Sequence, residues 1–302
     1  MKRLLQALLV LLLVSLALFA MLRIVPGNPV EVLMGEHANQ ATIDRLTAEL
    51  GLDQPIHVQF FRYISGAVRG DFGTSYSLGK PVSRLIGSAF VNTLLLSLAA
   101  ALFAWVTGGI CGILAAVRKN SIPDRLFMGF SLLGISMPVF MVAMILQYVF
   151  AYWLHWLPIS GVSSWQSFIL PAVALGWNSA GSIARLVRST LLDTLEDDYI
   201  DTDRAKGLGK ASVLVRHALR NTMLPTVTMM ALQLSGLLSG AVITETVFSI
   251  NGVGRLAVQA ISARDIPLLQ GTVLFSTALV ILGNLIADFL YKALDPRTRK
   301  EA

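Results

Sequence analysis

Gly207-Leu208-Gly209-Lys210 sets two glycines ahead of a lysine, residue types that can wrap a phosphate in backbone N–H groups. A working phosphate loop also needs a glycine five residues before the Gly-Lys pair and a Ser or Thr after it. Arg204 and Ala211 stand in those places. Gly252-Val253-Gly254 opens like a dinucleotide fingerprint, but Ala257 replaces the third glycine and no strand–helix unit surrounds it. His37, His57, His155 and His217 all fall outside the apolar runs, and no metal-binding His/Glu helix is present. These absences argue against an intramembrane hydrolase. No catalytic residue, metal or cofactor is expected, and any ATP chemistry belongs to another chain.

What the 185–221 stretch offers instead is mechanical. Asp197, Asp198, Asp201 and Asp203 precede a basic run that starts at Arg204. Gly207-Leu208-Gly209 interrupts a helical pattern, which resumes over 211–220 with Val213, Leu214, Ala218 and Leu219 on its apolar side. This predicts two short helices joined at glycines, because glycine permits a bend that a side chain obstructs. Such an elbow can take a push from a soluble partner. An ordinary solvated loop fits the periodicity equally well.

The elements around the elbow must be membrane spans. Of 302 residues, 55% are hydrophobic and 14% charged, and the mean hydropathy is +0.67. A soluble domain carries about 25% charged residues, so much of this surface is expected to face lipid. The net charge of +6 is spread over short segments between apolar runs, not gathered on one face, which excludes nucleic acid as a partner. Cys111 is the only cysteine, so no intramolecular disulfide forms. A hydrocarbon core needs roughly 20 apolar residues per helix. Six runs qualify: 4–25, 91–117, 126–153, 168–187, 224–248 and 272–290. Arg23, Arg185, Glu245 and Asp288 lie near their ends, where side chains reach headgroups. The first run also has the basic start and small residues of a cleaved signal peptide, but it exceeds the usual length of about 7–15 residues and is expected to stay.

Lys and Arg set the orientation. With the N-terminus in the cytoplasm, Lys2, Arg3, Arg118, Lys119, Arg125, the basic residues of 185–221 and those after 290 all lie inside. The outer segment 154–167 has none, the last outer segment has Arg255 and Arg264, and the first, about 65 residues, is long enough that its basic residues count little. Both termini are therefore expected inside. The first outer segment should hold two helices. One covers 41–50 and stops at Gly51; the next starts at Pro55 and ends at Gly70. They form a cap over the helix bundle, a docking surface for an external partner, or both. Gly108, Gly112, Gly236 and Gly240 have the GxxxG spacing of close helix contacts, within one subunit or between two. Gly134 and Pro138 are expected to interrupt the third span. Ser136, Asn178, Ser179 and Gln233 are polar candidates for a pathway, or interhelical hydrogen-bond formers.

The 201–220 stretch resembles, loosely, the EAA loop of ABC-importer permeases: Glu-Ala-Ala, three residues, Gly, nine residues, Ile-x-Leu-Pro. Asp201-Thr202-Asp203 and Gly207 take the first places, and only Leu219 matches the end. It is much more similar to the version in the dipeptide, oligopeptide, nickel and glutathione permease family. That version reads Asp-Tyr-Val-Arg-Thr-Ala-Arg-Ala-Lys-Gly-Leu, then His-Ala-Leu-Arg-Asn and a proline. Here the chain has Asp198-Tyr199-Ile200-Asp201-Thr202-Asp203-Arg204-Ala205-Lys206-Gly207-Leu208, then His217-Ala218-Leu219-Arg220-Asn221 and Pro225. Asp201 replaces the family's arginine and Asp203 its alanine. Pro26-Gly27-Asn28-Pro29, Gly70-Asp71-Phe72-Gly73, Gly134-Ile135-Ser136-Met137-Pro138, Arg264-Asp265-Ile266-Pro267 and Asp295-Pro296-Arg297 extend the resemblance over nearly the whole chain.

This resemblance implies an all-α integral membrane protein of the type I importer permease class, with about six spans. Its expected parts are a first span at 1–25, a periplasmic loop subdomain at 26–90, a permease core at 91–294 with a coupling loop at 188–224, and a cytoplasmic tail at 295–302. It implies one permease subunit of an ATP-driven importer in the bacterial inner membrane, with the EAA-like residues Asp201, Arg204, Ala205, Lys206, Gly207 and Leu208 as the ATPase contact. The implied partners are a second homologous permease, two cytoplasmic ATPases, a periplasmic or lipid-anchored substrate-binding protein, and membrane lipid. Di- or oligopeptides, glutathione or a nickel chelate are the implied solutes. An ion-coupled secondary transporter is the alternative. That class usually needs an ionisable group near mid-membrane, and none is evident.

Overall fold

A computed structural model describes residues 2–24, 40–49 and 51–294. The Pro26-Gly27-Asn28-Pro29 motif, His37, Leu50, Asp295-Pro296-Arg297 and the tail lie outside the described residues. The chain divides into two compact units, Met1–Thr93 with Asn251–Ile281, and Leu94–Ile250 with Leu282–Ala302.

The first unit begins with α1 (Lys2–Ile24), α2 (Gln40–Glu49) and α3 (Ile56–Val68). Gly51 follows α2 at φ +66° and Gly70 follows α3 at φ +77°, the left-handed stops their sequences call for. Pro55 caps α3 without needing an N–H of its own. Helix α3 runs along the flank of α1. Phe19 meets Phe60 edge-on at 5.3 Å, while Leu8, Leu11 and Leu12 share an apolar groove with Ile64, Ala67 and Val68. Next comes α4 (Val82–Val117), which begins nine residues earlier than the apolar run at 91–117 suggests. The reason is burial at helical spacing: Val82, Ile86 and Ala89 pack with Val253, Leu256, Ala260 and Leu268. Of these, Val253–Ala260 belong to α11 (Val253–Ser262) and Leu268 to α12 (Ile266–Leu294). Gly252 sits before α11 in extended backbone, and Thr93 Oγ1 accepts the freed Val253 N–H at 2.9 Å.

Asp265 ties this unit together. Its carboxylate accepts hydrogen bonds from Ser75 Oγ (2.6 Å), Ser77 N (2.9 Å) and Ser77 Oγ (2.7 Å), and from Leu268 N at the start of α12 (3.2 Å). Burial raises the Asp265 pKa, and these donors together outweigh it, so the carboxyl sits below the usual range.

The second unit holds the rest of α4, then α5 (Ile122–Ser136) and α6 (Val139–Leu146), whose last turn widens over Gln147–Trp153. A short turn at Trp165–Phe168 leads into α7 (Ile169–Leu195). After α8 (Asp198–Ala205), wide turns at Val213–Ala218 feed α9 (Leu219–Gly240) and α10 (Val242–Val247). Pro138 has no N–H to give, and α5 and α6 bend by 110° at that point. Gly108 and Gly112 are close-contact points within the chain: a Cβ on either would come 2.6 Å from the carbonyl of Ala180 or Ala184 on α7. Gly236 meets no such neighbour.

Among the described residues, four helices are long and apolar enough to cross a bilayer: Leu5–Leu22, Val82–Val117, Trp165–Leu195 and Ile266–Phe289. The bent α5–α6 pair makes a fifth. The sixth expected span, 224–248, falls on α9 and α10. Helix α9 carries Thr222, Thr226, Thr228, Gln233 and Ser235, and it ends at a break at Ala241, before α10. Its hydroxyls turn inward: Thr222 bonds the Ala218 carbonyl at 3.0 Å and Thr226 that of Thr222 at 2.8 Å. Glu245 does not reach for headgroups as its position near a run's end suggests; it is fully buried in α10.

Candidate functional site

The elbow forms from α8 and the wide turns that follow it. Ile200 is completely buried and packs with Ala116, Leu191, Val213 and Ala218, which clamps α8 onto α4 and α7. Asn221 Nδ2 donates to Tyr199 Oη at 2.8 Å across the same seam. At the bend Gly207 adopts φ +80°, its N–H returning to the Arg204 carbonyl at 3.0 Å. A non-glycine residue there strains the backbone. Gly209 is extended and starts the next turn.

Asp203 is the fastener underneath. It is buried, and its Oδ2 lies 2.9 Å from His217 Nδ1, with Lys206 Nζ 3.8 Å from Oδ1. Sequence periodicity could not pair Asp203 with His217, because the glycine break separates them and resets the helical phase. By contrast, Asp201, Arg204, Ala205, Lys206, Gly207 and Leu208 are all exposed on the outer side of the bend. Asp201 and Arg204 pair with each other there at 2.9 Å. Close by, Lys119 bonds Glu196 at 2.7 Å and holds that carboxyl below its usual range.

A second anchor joins α5 and α7. Arg188 grips Asp124 through two parallel bonds, Nε–Oδ1 at 2.7 Å and Nη2–Oδ2 at 2.8 Å. Asp124 is 3% exposed and also accepts from Asn120 N at 2.9 Å. In the sequence Arg188 reads only as one more inside charge.

The four pathway candidates separate into two pairs. Ser136 is exposed at the α5–α6 break, and Asn178 Nδ2 donates to the neighbouring Ile135 carbonyl at 3.3 Å. Ser179 and Gln233 instead tie α7 to α9, with Gln233 Nε2 donating to the Ser179 carbonyl at 3.5 Å. Gln233 Oε1 is buried without a hydrogen-bond partner among the described residues. Sequence reading missed Ser182 and Ser189 and gave Arg185 only to the headgroups; the three continue the Asn178 side of α7 and line an open cavity of about 590 Å³ with Met128, Ile135 and Met229. Their three-to-four-residue spacing was the available signal.

Long apolar helices, one of them broken at a proline, and an exposed charged elbow define an all-α integral membrane protein. The chain matches the family described as "Binding-protein-dependent transport system inner membrane component" over residues 108–300, and its N-terminal counterpart over residues 1–97. It is 44% identical over 298 residues to the glutathione transport system permease protein GsiC of Salmonella paratyphi A, covering 99% of this chain and 97% of that one. The protein of the same name from Escherichia coli K12 is 43% identical over the same length, with the same coverage. Among solved structures, the inward-facing MetNI methionine ABC transporter superposes with a TM-score of 0.60 at 18% identity, covering 70% of this chain and 96% of that chain. An amino acid ABC transporter solved with histidines gives 0.55 at 14% identity, covering 70% and 94%.

The chain therefore belongs to the binding-protein-dependent transport system inner membrane components. It is a permease subunit of an ABC importer, a transport component and not an enzyme, and it works in a system with ATPase and substrate-binding partners.

Proposed function

We propose that this chain forms half of the translocation pathway of an importer for glutathione or a related peptide-like solute, and that Asp201, Arg204, Ala205, Lys206, Gly207 and Leu208 are its contact with a cytoplasmic ATPase. The observation that carries the coupling assignment is the elbow itself. Its outer surface is exposed and charged, while Ile200 and Asp203 fix its underside to the spans. A lever needs both properties: a free face to be gripped and a rigid connection to what it moves.

The complex pairs this chain with a second, homologous permease, two ATPase subunits and a periplasmic or lipid-anchored binding protein, in the bacterial inner membrane with the elbow on the cytoplasmic side. Closure of the ATPases on ATP drives the elbows, and the helices rock between inward- and outward-open packings. Two arrangements differing by a few kcal/mol suffice for such a switch. Ser136 and Asn178 at the break in the third span, with Ser179 and Gln233 behind them, belong to the moving pathway. Relatives named for glutathione transport make glutathione the first solute to test, with di- or oligopeptides and nickel chelates next.

The test is uptake of labelled glutathione and of labelled dipeptide into vesicles holding the chain with its permease, ATPase and binding-protein partners. ATP-dependent accumulation of one of them is expected. Accumulation driven by an ion gradient with the ATPases left out would overturn the importer reading.

A further inference from the structure

Helix α7 has two unlike sides. Ile183, Ala184, Val187 and Leu191, on one side, are buried against the rest of the unit. Asn178, Ser182, Arg185 and Ser189 follow one another at intervals of three or four residues, which places them in a sector about 60° wide on another side. Asn178, Arg185 and Ser189 are exposed, and Ser182 is half-buried. At 1.5 Å per residue the strip is about 16 Å long, more than half of a hydrocarbon core. Among the described residues Arg185 has neither a hydrogen-bond nor an ion-pair partner, whereas Arg188, a turn away, is committed to Asp124. Asp193 is the exposed acid on the next turn of the same helix.

Lipid tails cannot solvate a strip of amide, hydroxyl and guanidinium groups. Headgroups can satisfy an arginine at a span's end, and Ser182, a turn further in, bonds the Asn178 carbonyl at 3.1 Å. But headgroups do not reach the exposed Asn178 amide two turns in, whose Nδ2 makes one bond among the described residues, to the Ile135 carbonyl. We propose that this side of α7 is a water-facing wall of the solute pathway and that Arg185 is its anion-reading residue, selecting solutes that carry a carboxylate. This rests on the permease reading above and adds to it the chemistry that the pathway favours. The open cavity of about 590 Å³ beside Ser182, Arg185 and Ser189 is where such a carboxylate would pass.

The test does not require the solute to be known. In the full chain with Cys111→Ala, single cysteines are introduced as Asn178→Cys, Ser182→Cys and Ser189→Cys in native membranes. Each is treated with an anionic and a cationic methanethiosulfonate. All three should react. At Ser182→Cys and Ser189→Cys the anionic reagent should be favoured about fivefold over its ratio for a free thiol, and Arg185→Gln should erase that preference. Silence at Asn178→Cys and Ser182→Cys, with reaction only at Ser189→Cys, would put Arg185 at lipid phosphates and overturn the proposal. Reaction without charge preference would overturn the role of Arg185. A chain that reacts as expected yet imports no glutathione would reject the solute assignment alone.

Discussion

At the scale of single residues, the chain's stability rests on a few carboxylates whose partners are distant in sequence. Asp265 has a depressed pKa, so it stabilises the fold while ionised. Its contribution is complete above the ordinary carboxylate range and fades as pH falls through the lowered value. Asp265→Asn removes the charge and keeps an acceptor. Wild type should therefore melt above the variant near neutral pH, and the gap should shrink below about pH 4. Thermal unfolding in detergent across that range measures it, and a gap that widens on acidification would refute the assignment. The Arg188–Asp124 pair makes a different prediction. Asp124 is 5% exposed at its side chain, so Arg188→Ala leaves a buried carboxylate without its ion-pair partner, held by the Asn120 N–H, and should cost about 3 kcal/mol. Arg188→Lys keeps the charge but not the two-pronged geometry, and should recover only part of that loss. Equal stability of the Lys variant and wild type in denaturant titrations would show that the fork does not matter.

Among the elements, the elbow depends on one backbone angle. Gly207 sits at φ +80° and donates its N–H to Arg204. Proline fixes φ near −65° and has no N–H, so Gly207→Pro denies the bend both its angle and its bond. Membrane insertion should persist while ATPase binding and transport are lost or nearly so. Gly207→Ala is the milder case: no atom lies within 4 Å of an added Cβ, so only left-handed strain of about 1–2 kcal/mol opposes it. Co-purification of ATPase with each variant checks both, and normal transport by the proline variant would remove the elbow from the coupling path. The bend was half legible in the sequence: glycines interrupt two helical patterns there, a spacing that an ordinary solvated loop fits as well. The break at Pro138 was legible. What could not be read is how the elements are fastened. Nothing local links Asp203 to His217, Asp124 to Arg188, or Asp265 to Ser75, since each pair meets only after the chain has folded. Helix α4 was read too short for the same reason. Hydropathy detects the lipid-facing run from 91, but the turns from Val82 are set by what they pack on.

For the whole molecule, composition and placement of charge give a stronger result than any motif. An excess of apolar surface requires lipid, and the lysines and arginines favour one orientation in it: the short segment 154–167 has none, the last outer segment has only Arg255 and Arg264, and the first is too long for its basic residues to count much. The proposed orientation would put the elbow, with its exposed Arg204, Lys206 and Lys210, on the cytoplasmic side, where ATP is available, and 154–167, without a basic residue, outside. Treating α9–α10 as a crossing or as a structure buried among its neighbours changes where the C-terminus lies, but not the side of the elbow, which precedes it. In a Cys111→Ala chain, Leu208→Cys should react with a membrane-impermeant maleimide in inverted vesicles and stay silent in intact cells. Ser160→Cys, in the arginine-free outer segment, should do the opposite. Both positions are exposed, so silence reports the membrane and not burial. Labelling of Leu208→Cys from outside would separate the elbow from any ATPase and remove the physical basis for coupling, whatever solute the chain carries.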